Sequence, residues 1–338
     1  MIYFDVTKAS RQGHRSGLTR VSERLRAELG ADVTPVTWGD CPTAAVRPDD
    51  WWFTAELFCE AERPGFWQFL RNKPCRVAAM FSDAIPLQHP HITWPHSVAR
   101  HPEYMKMLAS CDRVWAISAT CRETLLGYWR WLEVVNLPPV EVLALGADLA
   151  GQKRLPPTTP SRPPVLLCVG ILEPRKNQTF LLDVCADLWR AGVEFELHLV
   201  GRVNPHFGAP VVAKIKALQR EFSGLHYHAA ADDATVAGLF GRARATVFPT
   251  LAEGCGLPLL ESLWMGVPCV CSDLPVLREN ADGGGCVPVT LNDRAAWGAA
   301  LRRVIGDDTW HAQLAAAAGA RPLPTWSAAA AALRAGLR

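Results

Sequence analysis

Two short segments hold the side chains best suited to chemistry. The first, Phe248–Ser272, reads FPTLAEGCGLPLLESLWMGVPCVCS. An apolar run ends at Phe248, the turn Glu253-Gly254-Cys255-Gly256 follows, and Pro258 suits the first turn of a helix. Gly266 fits the residue after that helix, with Pro268 just beyond it. Gly254 and Gly256 let the backbone approach a ligand closely. The helix N-terminus behind them offers unpaired N–H groups and a positive dipole end, which suits a phosphate. Glu253 and Glu261 bracket this turn, and two carboxylates there can accept hydrogen bonds from two sets of sugar hydroxyls. On pattern alone, an ordinary strand-turn-helix junction with solvated glutamates fits equally well. The second segment, Val169–Asn177, reads VGILEPRKN. Gly170 opens a turn after a strand-like run, and Arg175 and Lys176 stand before a helical stretch. Adjacent cations there can grip a diphosphate, the Arg as a planar fork and the Lys as a point charge. A solvated basic pair is the simpler reading of these two residues taken alone.

Both segments need a strand to end at the right place and a helix to begin there. Short apolar runs alternate with helical stretches throughout the 338 residues, the pattern of βα units on parallel sheets. Strands are predicted near 1–6, 33–38, 51–55, 76–82, 113–117 and 140–145. Helices are predicted at about 17–29, 60–71, 99–110 and 119–132. The stretch GQKRLPPTTPSRPP, from Gly151 to Pro164, carries five prolines and reads as a linker. A second series follows, with strands at 164–169, 194–200, 244–248 and 267–271. Its helices are predicted at about 177–191, 210–221, 257–265, 292–305, 307–318 and 325–337. The division is therefore 1–150, a linker over 151–163, a second domain over 164–322 and a terminal helix over 323–338. Two α/β halves on a hinge predict a ligand cleft between them.

Together the two segments resemble the donor domain of retaining glycosyltransferases of family 4, the group 1 glycosyl transferases, which have the two-Rossmann-domain GT-B fold. The resemblance rests on Glu173–Asn177 and, about eighty residues later, on Glu253–Glu261. It continues through Gly266-Val267-Pro268 and Gly283-Gly284-Gly285. Cys255 stands where the family usually has Phe. In the first half, Arg15-Ser16-Gly17-Leu18-Thr19-Arg20 resembles the family's glycine loop, although a simple helix start with Ser16 as cap fits as well. Ser82-Asp83-Ala84-Ile85-Pro86-Leu87 resembles a motif in which Ser82 replaces the usual His. Asp112–Leu126 resembles another, with Ser118 capping a helix. The resemblance implies an enzyme, a metal-independent hexosyltransferase that takes its sugar from a nucleotide-diphosphate donor. Arg175 and Lys176 would stabilise the leaving diphosphate, Glu253 the transferred sugar, and Glu261 the nucleotide ribose. Gly17, Gly170, Gly254, Cys255, Gly256 and Leu257 would line the donor site. Asp83 would hydrogen-bond a substrate hydroxyl, and Ser82, Trp94 and Ser118 would face the acceptor. It further implies that the last helix crosses back to the first half, bringing Trp326 to the domain junction.

No G-x-G-x-x-G or G-x-x-x-x-G-K-[ST] occurs, which argues against a dinucleotide dehydrogenase and a P-loop NTPase. No two aspartates stand as D-x-D, the pair with which the other large glycosyltransferase fold holds a metal, so no metal or other cofactor is expected. Scattered cysteines, eleven in all and without a Cys-x-x-Cys pair, read as reduced thiols of a cytoplasmic protein. His89, His91 and His96 have no metal-ligand spacing. A net charge of +2 lacks the basic excess of a nucleic-acid binder. No apolar run suggests a membrane span or a signal peptide, and peripheral contact with an inner membrane is the most that is expected. Eight of the thirteen tryptophans precede residue 135; most are assigned to the core, with Trp94 as the exposed sugar-stacking candidate. The acceptor is expected to be a glycan or a lipid-linked glycan of surface polysaccharide assembly, and the sugar mannose or a related hexose. Two alternatives stand beside this reading: a non-catalytic nucleotide-sugar or glycan binder, and a GT-B nucleotide-sugar epimerase.

Overall fold

The computed structural model describes residues 1–10, 17–40, 46–149, 154 and 162–338. It divides into two compact units, Met1–Gly146 with Pro324–Arg338, and Ala147–Leu323. The linker expected over 151–163 and the Arg15-Ser16 part of the glycine loop fall largely outside the described residues.

The first unit holds a six-stranded sheet: β1 (Ile2–Asp5), β2 (Thr34–Val36), β3 (Trp51–Thr54), β4 (Arg76–Phe81), β5 (Arg113–Ala116) and β6 (Val140–Val142). Their spatial order is β2-β1-β3-β4-β5-β6, and every pair is parallel. β3 is buried at all four residues, as a central parallel strand covered on both faces must be. The helices are α1 (Gly17–Leu29), α2 (Phe66–Asn72), α3 (Ile85–Gln88), α4 (Pro95–Leu108) and α5 (Ala119–Trp131). The helix expected over 60–71 begins only at Phe66. Pro64 precedes Gly65, whose φ of 85° is left-handed, and the Glu60 carboxylate accepts from the Gly65 and Trp67 amides instead of continuing a helix. The helix expected over 99–110 begins earlier, at Pro95, where proline suits a first turn.

The second unit holds β7 (Val165–Val169), β8 (Glu196–Val200), β9 (Leu225–His228), β10 (Ala243–Phe248), β11 (Cys269–Ser272) and β12 (Cys286–Val289). These are again all parallel, in the order β12-β11-β10-β7-β8-β9. Around them lie α6 (Gln178–Arg190), α7 (Ala209–Leu218), α8 (Asp233–Arg242), α9 (Leu257–Trp264), α10 (Pro275–Ala281), α11 (Arg294–Gly306) and α12 (Asp308–Ala320). β7, β10 and β11 are almost wholly buried, mostly by apolar residues, with Arg244, Thr246 and Ser272 as buried polar exceptions. From β7 the chain winds outward through β8 and β9, then returns to the other side of β7 as β10. The loops after β7 and β10 therefore splay apart at the carboxyl ends of neighbouring strands, where open α/β sheets bind ligands. No helix among the described residues is long and apolar enough to cross a membrane.

The terminal helix α13 (Trp326–Gly336) belongs to the first unit. Thr325 caps it by accepting from the Ala328 amide at 3.1 Å. Trp326, Ala329, Ala330 and Leu333 form its buried stripe, and it packs on α1. Gly146 makes the seat for Trp326: a Cβ there would lie 2.3 Å from the Trp326 nitrogen and 2.5 Å from its ring. Arg334 pairs with Asp32 at 2.7 Å, and Arg24 lies 5.8 Å from the Trp326 ring centroid. Replacing so large a buried ring by alanine costs about 3–5 kcal/mol. Trp326→Ala is therefore expected to lower the first unit's unfolding free energy by that amount, read from urea melts, and a loss below about 1 kcal/mol would show that this seat is not tightly packed.

Candidate functional site

The loop after β7 and the loop after β10 meet at one carboxylate. Glu253 Oε1 accepts from Lys176 Nζ at 2.6 Å, from Arg175 Nη1 at 3.0 Å and lies 2.8 Å from Thr250 Oγ1. Arg175 is held from its other side by Glu173, with Nε at 3.0 Å and Nη2 at 2.8 Å from Oε1. Its Nη1 also donates to the Ala252 carbonyl at 3.0 Å. Asn204 Nδ2 donates to Glu173 Oε2 at 2.9 Å, so the clamp on the arginine is itself fixed. The backbones are tied too, since the Leu251 amide donates to the Arg175 carbonyl at 2.8 Å.

Local conformation explains why these groups meet. Pro174–Lys176 form a single 3-10 turn, and Asn177 ends it in the left-handed region at φ 57°, which Asn tolerates, before α6 begins. Gly170 and Gly201 pass so closely that a Cβ on Gly201 would lie 2.1 Å from the Gly170 carbonyl oxygen. The Lys176 stem lies along Gly170, and its ammonium sits 4.9 Å from the Phe248 ring centroid, within cation–π range.

α9 starts from Gly256 at φ 84°, where a Cβ would lie 2.5 Å from Leu277. Asn280 Nδ2 donates to the Cys255 carbonyl, so the turn is held from α10 as well. Gly254, Cys255, Gly256 and Leu257 are buried in this turn. Glu261 follows on α9 and is buried.

The electrostatics are those of a balanced, enclosed cluster: two cations against Glu173 and Glu253. Burial works to raise the Glu253 carboxyl, but Lys176 and Arg175 outweigh it and hold the group below the ordinary carboxylate range. Burial draws Lys176 below the ordinary lysine range, a pull that Glu253 opposes. The contacts described for Glu253 use only Oε1, and Oε2 is not among the buried polar atoms left without a partner.

Of the residues expected in the first half, Ser82, Asp83 and Ser118 stand at the carboxyl ends of β4 and β5, while Gly17 and Trp94 stand at the starts of α1 and α4. Asp83 Oδ1 accepts from the Ile85 amide at 3.0 Å, its carbonyl lies 2.8 Å from His101 Nε2, and the half-buried side chain stands just after β4. Ser82 is buried, and its carbonyl lies 3.1 Å from the Cys121 thiol. Ser118 caps α5 by accepting from the Cys121 amide at 3.0 Å. Trp94 precedes α4, 43% exposed, with the His96 ring 5.1 Å away; Trp131, at 74%, is more open still. Gly17 begins α1 with open space around its Cα.

Sequence reasoning missed the partners that fix these groups. Thr250 and Asn204 carry no motif of their own, Glu173 has no role assigned within its segment, and only strand order brings the three together. In the first unit it also missed a buried group at the carboxyl ends of β1 and β3. Arg63, fully buried, bridges Asp5 Oδ2 at 2.8 Å and Glu56 Oε2 at 2.7 Å. Glu56 in turn accepts from the Lys8 and Ala9 amides, both at 2.8 Å. Thr7 Oγ1 donates to Asp5. This cluster anchors the start of the loop that leads to Gly17.

Comparison with known proteins follows the same geography. Residues 163–307, which hold every member of the Glu253 cluster, match the family profile described as glycosyl transferases group 1. The chain is similar to the serotype-specific mannosyltransferase WbdA of Escherichia coli, with 27% identity over 215 residues, covering 59% of this chain and 26% of that protein. It is also similar to O-antigen chain mannosyltransferase B of Escherichia coli, with 31% identity over 154 residues, covering 45% and 39%. The chain thus spans less than half the length of either relative. Its fold matches sucrose-phosphate synthase from Thermosynechococcus elongatus at a TM-score of 0.77 and 17% identity, over 99% of this chain and 97% of that one. This is the GT-B architecture.

Glu253→Gln removes the charge that the two cations share. Breaking a buried pair from one side costs on the order of 3–5 kcal/mol at neutral pH. Because the folded carboxyl lies below its ordinary value of 4.5, its contribution is full above that value and fades as pH falls through the folded one. The stability gap between wild type and Glu253→Gln, read from denaturant melts, is expected to hold at pH 7 and to narrow below about pH 4.5. A gap that stayed constant into strong acid would mean that the carboxylate charge is not what stabilises the cluster.

Proposed function

We propose that this chain, whose residues 163–307 belong to the glycosyl transferases group 1 family, is a retaining mannosyltransferase of surface polysaccharide assembly. Its donor would be a nucleotide-diphosphate mannose and its acceptor a glycan or lipid-linked glycan. The observation that carries this reading is the meeting of Lys176, Arg175 and Glu253 at the strand-order reversal of a family domain. The mannosyltransferase names of two partial relatives supply the sugar.

In this reading the donor diphosphate lies across the α9 N-terminus and the two cations. The amides of the Gly254–Leu257 turn and the helix dipole meet one phosphate. Lys176 and Arg175 meet the other, where negative charge grows as the glycosidic bond breaks. Lys176 has three protons and one described acceptor, so it can turn part of its hydrogen bonding to a phosphate oxygen without leaving Glu253. Glu253 Oε2 accepts from a hydroxyl of the transferred sugar, and Glu261 accepts from the ribose. The acceptor hydroxyl attacks the anomeric carbon from the face the diphosphate leaves. The carbon–phosphate oxygen bond breaks, the new glycosidic bond forms, and the acceptor proton passes to the departing phosphate oxygen. Asp83 orients a substrate hydroxyl. No metal takes part, because the two cations and the helix end supply the positive charge.

The test is a nucleotide-release and sugar-transfer assay with GDP-mannose and lipid-linked or free glycans, run in EDTA. Transfer in EDTA is expected. Activity that vanishes there and returns with Mg²⁺ or Mn²⁺ would overturn the role given to Arg175 and Lys176. Lys176→Ala is expected to lower kcat by about 10²–10³, the usual loss of one preorganised charge-stabilising group, with donor binding largely kept by Arg175. Glu261→Ala should act mainly on the donor KM, by the roughly 1.5–3 kcal/mol of a charged hydrogen bond present in both ground and transition states.

A further inference from the structure

A second dense group of titratable side chains lies on the outer strands of the second sheet and shares no residue with the donor cluster. Along β8 and β9 side chains alternate between faces, so Glu196 and His198 share one face, as do His226 and His228. The parallel register pairs His198 with His226 and Val200 with His228, which sets the residues on one face of the sheet. The His198 and His226 rings have centroids 4.5 Å apart. His198 Nε2 lies 2.9 Å from Glu196 Oε2, while its Nδ1 lies 3.0 Å from His228 Nε2. The His198 and His228 rings are nearly parallel, at 11°. One ligating atom each from Glu196, His198 and His226 falls within 4.8 Å of the others. His198 is 5% exposed, so its ring is fixed by its surroundings.

We propose that Glu196, His198 and His226 bind a zinc ion that pins the edge strand β9 to β8. His198 coordinates through Nε2, and Glu196 and His226 complete the protein ligands, with water in the fourth position. His228 acts from behind the metal: its Nε2 accepts the His198 Nδ1 proton, fixing the tautomer that frees Nε2 for the ion. Two imidazoles and one carboxylate favour zinc and its transition-metal neighbours over magnesium or calcium, which take oxygen ligands. Arg242 competes for Glu196 at 3.4 Å, and the ion must displace that exposed contact. An ion held only by the folded strands raises stability by mass action. The site takes no part in sugar transfer, and the proposal does not depend on that reaction.

The experiment uses the full chain without a histidine tag, stripped with EDTA and dialysed. Titration with ZnCl₂ is followed by calorimetry and by the melting temperature, and CoCl₂ reports ligand geometry by its visible absorption. One zinc per chain, a higher melting temperature and a tetrahedral cobalt spectrum are expected. His226→Ala and Glu196→Gln, each shown folded by circular dichroism, should each weaken binding at least about tenfold. His228→Ala should keep one zinc per chain but bind it about 10–100-fold more weakly, the mark of an orienting partner. Absence of stoichiometric zinc in the wild type, or undiminished binding in either ligand variant, would overturn the proposal. The second result would assign the ion elsewhere, for instance to His89 and His91.

Discussion

The loops after β7 and β10 depend on a single oxygen atom. Glu253 Oε1 receives both Lys176 and Arg175, and so couples the loop after β7 to the loop after β10. Between them these loops carry a 3-10 turn, a left-handed Asn177 and a left-handed Gly256. A buried carboxylate without its cations would be costly, and so would the buried lysine without its carboxylate. Each group therefore tolerates the interior only because the other is there. This explains why the cations are neither free nor solvated: both are held against Glu253.

The two units solve the same problem at corresponding places. Each sheet reverses its winding once, between β1 and β3 in the first and between β7 and β10 in the second. Each reversal carries a buried ionic cluster. In the second unit Lys176 and Arg175 converge on Glu253. In the first, Arg63 is locked between Asp5 and Glu56, with Glu56 spent on two loop amides, so the cluster shapes backbone. Burial and the nearby Asp5 raise the Glu56 carboxyl, against the pull of those amides and Arg63. The difference is one of spare valence: Lys176 keeps protons to offer, whereas the described bonds of Arg63 all point inward.

Local chemistry was the legible part of the sequence. The α9 turn, its glycines, Pro258 and the two glutamates announce a strand-turn-helix site from spacing alone, and Ser118 announces its own cap. The alternation of apolar runs with helical periods was enough for two parallel sheets. What could not be read was whatever depends on strand order. Thr250 looks like loop filler, and Glu173 shows no partner, until β7 and β10 stand side by side. The same holds for Arg63, 58 residues from Asp5. Glu196, His198 and His226 have no ligand spacing within one segment and come together only through the β8–β9 register. The helix expected from residue 60 failed because side-chain capping by Glu60 offered the amides after Pro64 another partner.

The seat of Trp326 against Gly146 bears on how the molecule is made. A ribosome delivers α1 and the first sheet well before the helix that covers α1. The second unit is complete in sequence before that helix exists, so it can finish folding while the first unit waits with an apolar face uncovered. Until α13 is made, that face is open to chaperones and to self-association. A truncation that spares every residue of the Glu253 cluster, yet stops before Trp326, would leave the face open for good.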